Sequence, residues 1–413
     1  MTSLRRLQSF RIAVRKFAPF EAAIRAQWSA FEEAAHTGFL LDLVALELPE
    51  LEDALFTRRG MSSGEWDVAF VATDWISLMR SAGCAVDLRP FLERDPPLDY
   101  PTGWSPSLLR LQQIDGKLLG VPYHDGPECL IYRRDLFSNP RRQRDFRADF
   151  GRDLIPPRTW REFHETARFF NDPSGHIYGT AFAAHPDRHN SVYDFLLQLW
   201  TRGGDLHSSS GKLRLNTPEV RTALTYYRNI VNDRTASHPD SRQFDSVRLG
   251  AAFAAGEIAM MINWFGFAAY AHTSTESSVR DLVNVDCIPA GDGGESVSLN
   301  VYWILSLAAG SPHRELASRF LLHTQSPAMD KITTDSGAIG CRRSTWNDPD
   351  VIAKIPFYGR MEALHANARE IPQLKDWPQI ASAIDKLITQ TIDTDTPIET
   401  LLEAADANLT PRN

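Results

Sequence analysis

Several ingredients of common chemistries are scarce or missing in this sequence. Cysteine accounts for 4 of 413 residues. Cys84, Cys129, Cys287 and Cys341 are widely spaced and form no CxxC pair, which speaks against a zinc site and reads as buried, unpaired thiols, with a disulfide as the alternative. No uninterrupted apolar run approaches the roughly 20 residues that span a bilayer, so the chain reads as soluble. A basic excess is also lacking: the formal net charge is -8. Phosphate binding needs cationic surface, so a nucleic-acid partner is excluded. There is no GxSxG elbow, no GxxxxGK[ST] loop, no GxGxxG after the first strand and no HExxH helix. Nothing therefore calls for a cofactor or a metal. His185 and His189 stand four apart, but Pro186 breaks the helix that would set both on one face. The start of the chain, Met1 to Gln8, is basic through Arg5 and Arg6, yet it leads into Phe10-Arg11-Ile12-Ala13 without a signal-peptide core. Two readings follow: a signal already removed, or a protein that stays in the cytoplasm.

What is present is ordinary for a folded protein. Hydrophobic residues make up 43% and charged residues 23%, and 413 residues exceed what one core usually supports, so two domains are expected. Phe10, Ile12 and Val14 alternate with Arg11, Ala13 and Arg15 as a strand. Apolar residues at helical spacing follow from Phe20 to Ala35. Leu41, Leu43, Ala45 and Leu46 make a second strand, Pro49 opens a helix through Leu55, and Ser62-Ser63-Gly64 breaks it before the strand Asp67-Val68-Ala69-Phe70-Val71. This β-α-β-α-β run predicts a mostly parallel sheet flanked by helices. Such sheets bind ligands beyond the carboxyl ends of their strands. Those positions are Arg15-Lys16-Phe17, Glu47-Leu48-Pro49 and Thr73-Asp74-Trp75.

Further on, Ile114 to Tyr123 reads as a turn with a strand, and Glu128-Cys129-Leu130-Ile131-Tyr132 as another strand. The stretch from Asn139 to Asp153, mixed in charge sign, reads as a solvated surface insert, with a partner site as the alternative. Thr159 with Glu162 forms a capping box, and Thr217 with Pro218 opens a later helix. Gly291-Asp292-Gly293-Gly294 reads as a loop, and Pro372 to Leu409 as amphipathic helix covering one lobe.

Five ordered blocks carry a resemblance: Ser62-Ser63-Gly64-Glu65-Trp66-Asp67-Val68, Leu130-Ile131-Tyr132-Arg133-Arg134-Asp135-Leu136-Phe137, Pro156-Pro157-Arg158-Thr159-Trp160, Ala252 to Met261, and Ile288-Pro289-Ala290-Gly291 followed by Trp303. In order and spacing the chain resembles the extracellular solute-binding proteins of ABC importers, the family that includes maltose-binding protein. The resemblance implies an α/β, two-lobed periplasmic-binding-protein-like fold, each lobe a mostly parallel sheet flanked by helices, closing on a ligand by hinge motion. It implies an N-lobe of residues 1–122 plus 290–325, a C-lobe of 123–289 plus 326–413, and hinges near 122–127, 286–290 and 325–330. It also implies a periplasmic monomer that hands a carbohydrate, or an acidic sugar derivative, to ABC permease subunits, and no enzymatic activity. The alternative is an intracellular sensor without a signal, or a diverged enzyme on the same scaffold.

Sugar sites combine aromatic faces with carboxylates, amides and arginines. Asp74 and Trp75 supply one of each after a strand; a helix-start carboxylate beside a core tryptophan is the structural alternative. Tyr123, His124 and Asp125, next to Gly126, fall where the chain is expected to cross between lobes, with a hinge hydrogen bond as the other reading of Asp125. Asn263 and Trp264 end a strand-like run. In the resembling family an aromatic residue here stacks on sugar, with core packing as the alternative. Asn300, Tyr302 and Trp303 occupy a Gly-Gly-Trp-like position of that family, with Val301 and Tyr302 in place of the glycines. Arg15 and Lys16, with Arg342 and Arg343 after Gly340, would suit an anionic ligand if two of them face inward, and otherwise serve surface solvation.

Overall fold

The computed structural model describes residues 8–110, 112–207, 213–374 and 376–409, so the reading of the basic start falls, but for Gln8, outside the described residues. The chain divides into two compact units. The first is Met1–Gly126, Asn300–Met361 and Glu370–Lys375; the second is Pro127–Leu299, Glu362–Arg369 and Asp376–Asn413.

In the first unit β1 (Ser9–Arg15) is buried on both faces, as a central parallel strand requires, with Phe10, Ile12, Ala13 and Val14 all fully enclosed. The helix Ala18–Ala35 follows, with Pro19 in its first turn. It leads to β2 (Leu40–Leu46) and, after further short helices, to β3 (Val68–Ala72). The helical stretch after β2 runs on farther than the sequence suggests: Gly60–Ser63 is itself a helical turn, and Gly64, at φ 84°, is the residue that ends it. A tight hairpin joins β4 (Gln113–Ile114) to β5 (Lys117–Leu118) through Asp115 and Gly116, both at positive φ. Then come β6 (Val121–His124) and, in the second unit, β7 (Glu128–Arg133), β8 (Met260–Trp264) and β9 (Val283–Asp286). The strand β10 (Ser298–Asn300) leads the chain back, and β11 (Trp303–Leu307) inserts into the first sheet. That sheet has the order β2-β1-β3-β11-β6, with β2 and β3 parallel to β1 and β11 antiparallel to both its neighbours.

The second unit departs from the expected parallel sheet. Its order is β8-β7-β9, and β7 is antiparallel to both neighbours. The strands β8 and β9 do run the same way, joined by the helix Phe265–Thr273, but β7 lies between them and faces the other direction. Parallel pairing appears as single bridges, Thr159 with Ala290, Tyr178 with Ile258 and Thr180 with Ser237.

Two boundaries also differ from expectation. Residues 326–361 fold with the first unit because the helix Pro327–Asp335 is tied to the first helix: the Gln27 side-chain amide donates to Met329 O (2.8 Å) and Thr333 Oγ1 (2.9 Å). Residues 290–299 fold with the second, where Ala290 N–H donates to Arg158 O (2.9 Å) and Gly291 N–H to Thr201 O (2.8 Å). A Cβ on Gly294 would sit 2.0 Å from Thr201 O, so this glycine cluster serves close packing.

The capping box at Thr159 is formed with Glu162, and Thr217 Oγ1 accepts from Val220 N–H. The closing segment makes two helices, Trp377–Asp393 and Ile398–Leu409, rather than one. Cys84, Cys129 and Cys341 are free and buried, and Cys287 is half-buried. No helix among the described residues is long and apolar enough to cross a membrane. The arginine-rich stretch is not a loose insert. It forms the helix Pro140–Phe150, capped by Asn139, and Phe146 is fully buried against Phe150 and Phe169 at centroid distances of 4.5 and 4.9 Å. Phe146→Ala is therefore expected to lower unfolding free energy by about 3 kcal/mol in urea denaturation, whereas a solvated insert would leave it unchanged.

Candidate functional site

In the first unit, register gathers the candidate residues at one edge of the sheet. Because β11 enters antiparallel, Trp303 at its start pairs with Ala72 at the end of β3 and with His124 at the end of β6. The half-buried indole of Trp303 meets Trp75 edge-on (5.9 Å between centroids), Phe20 (6.1 Å) and Phe70 (6.2 Å). Asp74 and Trp75 form one turn of 3-10 helix directly after β3. Trp75 is only 2% exposed and also packs on Phe56, so its ring belongs to the core and backs Trp303. Asp74 is buried as well. Phe17, half-buried, starts the first helix and meets Phe20 edge-on at 5.0 Å.

Asn300 is wholly buried, yet neither Nδ2 nor Oδ1 of its carboxamide has a hydrogen-bond partner among the described residues. Burying both ends of an amide unpaired costs a few kcal/mol, so such a group is normally completed by water or ligand. His124 is neutral: burial pushes its pKa down to about 4, and Nδ1 accepts from Ile339 N–H (2.9 Å), which leaves the proton on Nε2. Asp125 is buried beside it and its own N–H donates to Ile339 O (3.0 Å).

Three aromatic and cationic candidates are committed elsewhere. The Tyr123 hydroxyl donates to Gln27 Oε1 (2.9 Å) within the core. That of Tyr302 is shared between Leu108 O (2.8 Å) and Gln112 Oε1 (2.7 Å). Arg342, 1% exposed, donates to Gln325 O and Leu98 O, both at 2.8 Å, and lies over Trp104 at 4.2 Å. Desolvation lowers its pKa, the nearby Asp330 and Asp99 opposing this. Its charge therefore fastens the 98–104 loop instead of facing a ligand, while Arg343 reaches toward Thr102 O (3.5 Å). Arg15 and Lys16 both pair with Glu47, Lys16 at 3.2 Å, and these hydrogen bonds hold the Glu47 carboxyl below its ordinary range.

In the second unit, Trp264 ends β8 directly opposite Glu128 at the start of β7. The Trp264 ring is half-buried and meets Tyr193 edge-on at 5.7 Å. Asn263 is used by the fold: Nδ2 donates to Ser246 O (3.0 Å), and Oδ1 accepts from Trp264 N–H (2.8 Å). Two buried carboxyls join this group. Burial raises the Asp194 carboxyl to about 7 although Tyr227 donates to it at 2.8 Å, and Glu128 is pushed up by burial and by the charge of Asp194. Each unit thus offers an aromatic face with buried polar groups.

Residues 14–329 match the bacterial extracellular solute-binding protein family. The chain belongs to this family. A probable ABC transporter-binding protein of Deinococcus radiodurans is 22% identical over 345 residues, covering 81% of this chain and 77% of that one. Among solved structures, the fold resembles a maltose-bound protein of T. maritima (TM-score 0.84, 20% identity, 97% of this chain and 98% of that one). It also resembles a solute-binding protein of Agrobacterium radiobacter in complex with ribitol (TM-score 0.82, 22% identity, 97% and 98%).

Sequence reasoning passed over Glu128, Tyr193 and Asp194 in this solute-binding protein. The signal was there: a glutamate opens an otherwise apolar strand, and an aspartate sits inside Ser191-Val192-Tyr193-Asp194-Phe195-Leu196-Leu197. Charged residues are rarely buried without a purpose.

Two outcomes follow for stability. Arg342→Met should lower unfolding free energy by about 3 kcal/mol by denaturation, since two charge-assisted hydrogen bonds are lost; a cation facing solvent or ligand would leave it unchanged. For Asp194, a folded pKa above the unfolded 3.8 means that the folded state binds the extra proton, so its contribution to stability is full below pH 3.8 and is lost as pH rises to about 7. Asp194→Asn should remove this loss, and denaturation at pH 4, 5.5, 7 and 8.5 should show its advantage over the parent growing with pH and then levelling off.

Proposed function

We propose that this protein is a periplasmic, non-enzymatic receptor that captures a sugar or polyol by hinge closure and passes it, as a monomer, to the permease of an ABC importer. The observation that carries this reading is the company of Trp303 and Asn300 in the first unit: an aromatic face three residues along from a buried carboxamide with no protein partner among the described residues. Apolar C–H faces of a sugar suit the one and its hydroxyls suit the other. Trp264 with Glu128 offers the same combination in the second unit. Maltose in one structural relative and ribitol in another belong to this chemical class. No observation favours an intracellular sensor or an enzyme.

Ligand linkage provides the test. A thermal-shift screen over neutral sugars, polyols, uronates, sulfonated sugars and sugar phosphates should yield at least one compound that raises the melting temperature. A ligand at 100 times its Kd adds about 2.7 kcal/mol of stability. Trp303→Ala should weaken the same compound about tenfold by calorimetry, as expected for loss of roughly 1–2 kcal/mol of stacking. A flat screen would count against the receptor reading.

A further inference from the structure

The start of β7 holds a carboxyl group that the fold does not use. Glu128 is 4% exposed, and its Oε2 has no hydrogen-bond partner among the described residues. It is directly opposite Trp264 in an antiparallel ladder, so the two side chains leave the sheet on the same face, with Cβ atoms about 4.5–5.5 Å apart. Asp194 lies close enough for its charge to act on Glu128, and its own Oδ2 accepts from Tyr227. Neither carboxyl has an ion-pair partner among the described residues, which separates this pair from the surface carboxylates paired with arginine, such as Asp87 and Asp135. A buried, unbonded carboxyl oxygen beside a half-buried tryptophan is costly as a pure fold element and useful as one end of a ligand contact.

The charge of the ligand follows from the same groups. An anion brought against Glu128 and Asp194 would lose its water beside two carboxyls that no cation pairs among the described residues. Of the four cations that the sequence offered for an anionic ligand, Arg15 and Lys16 pair with Glu47, Arg342 donates to backbone carbonyls, and Arg343 reaches toward Thr102 O. A hydroxyl group, by contrast, satisfies Oε2 without bringing charge.

We propose that Glu128 is a specificity-determining residue: Oε2 accepts a hydrogen bond from a hydroxyl of a neutral sugar or polyol lying on Trp264, and the Glu128–Asp194 pair excludes anionic sugars. This assignment rests on the sugar-receptor reading and narrows it.

The test uses the full chain, with maltose, D-mannitol and ribitol as neutral probes and D-glucuronate as the anionic one. Calorimetry on the unaltered protein should detect at least one neutral probe and no saturable heat from D-glucuronate. Glu128→Met removes the polar atoms at similar size. It should weaken the neutral probe at least about tenfold, while the ligand-free melting temperature holds or rises because a buried unpaired group has gone. Binding within about twofold of the parent would overturn the assignment, and so would a fall in ligand-free melting temperature, which would make Glu128 a fold residue. D-glucuronate bound as tightly as the neutral probes, or alone, would overturn it and leave the sugar reading standing. No binding of any probe to the unaltered protein would overturn both.

Discussion

The ladder that seats β11 between β3 and β6 is the constraint on which the first unit depends. Its residues Ile304, Leu305 and Leu307 are fully buried, and its hydrogen bonds reach both neighbours. The strand arrives from the second unit and runs against the others, so its first residue, not its last, stands at the carboxyl edge of the sheet. That geometry sets Trp303 beside the chain ends that follow β3 and β6. A pair of contacts locks it there: Thr73 N–H donates to Tyr302 O (3.0 Å), and Tyr302 N–H donates to Thr73 Oγ1 (3.1 Å). At the opposite edge Asp67 holds the strands in place, accepting from Arg11 N–H (2.9 Å) and the Ser311 hydroxyl (2.5 Å). That edge is thus closed by internal hydrogen bonds, whereas Asn300, three residues before Trp303, keeps no protein partner among the described residues.

Charge is distributed by the same logic of local completion. Arginines near the candidate positions are consumed by carbonyls or by a nearby glutamate, while Glu128 and Asp194 of the second unit are buried with no ion-pair partner among the described residues. Desolvation then decides their protonation, raising Glu128 and Asp194. Polar groups whose charged form burial disfavours suit hydroxyls, which need donors and acceptors rather than counter-ions.

Much of the architecture could be read from local pattern. The first strand and helix, the capping box at Thr159 and the cap at Thr217 all follow from interactions within a few residues. The candidate edge of the first unit was legible too, since strand ends can be found from strands: Phe17, Asp74 and His124 follow or close β1, β3 and β6. One error has a simple physical origin. Tyr302 and Trp303 are adjacent in sequence, but successive strand residues point to opposite faces. One hydroxyl is therefore spent on Leu108 and Gln112 while the other ring meets Phe20 and Trp75. Nothing in the local sequence says which face is which.

By itself, then, the sequence determined the α/β class, the caps, the strand ends and the family, because these depend on spacing along the chain. Tertiary structure alone decided that the sheet of the second unit centres on an antiparallel β7, that residues 326–361 return to the first unit, and that Arg342 is a structural cation. It also decided that Glu128, and not Asn263, offers an unbonded polar atom beside Trp264. Each of these turns on a partner more than ten residues away. A side chain's remaining hydrogen-bonding capacity is known only after its distant neighbours have taken their share.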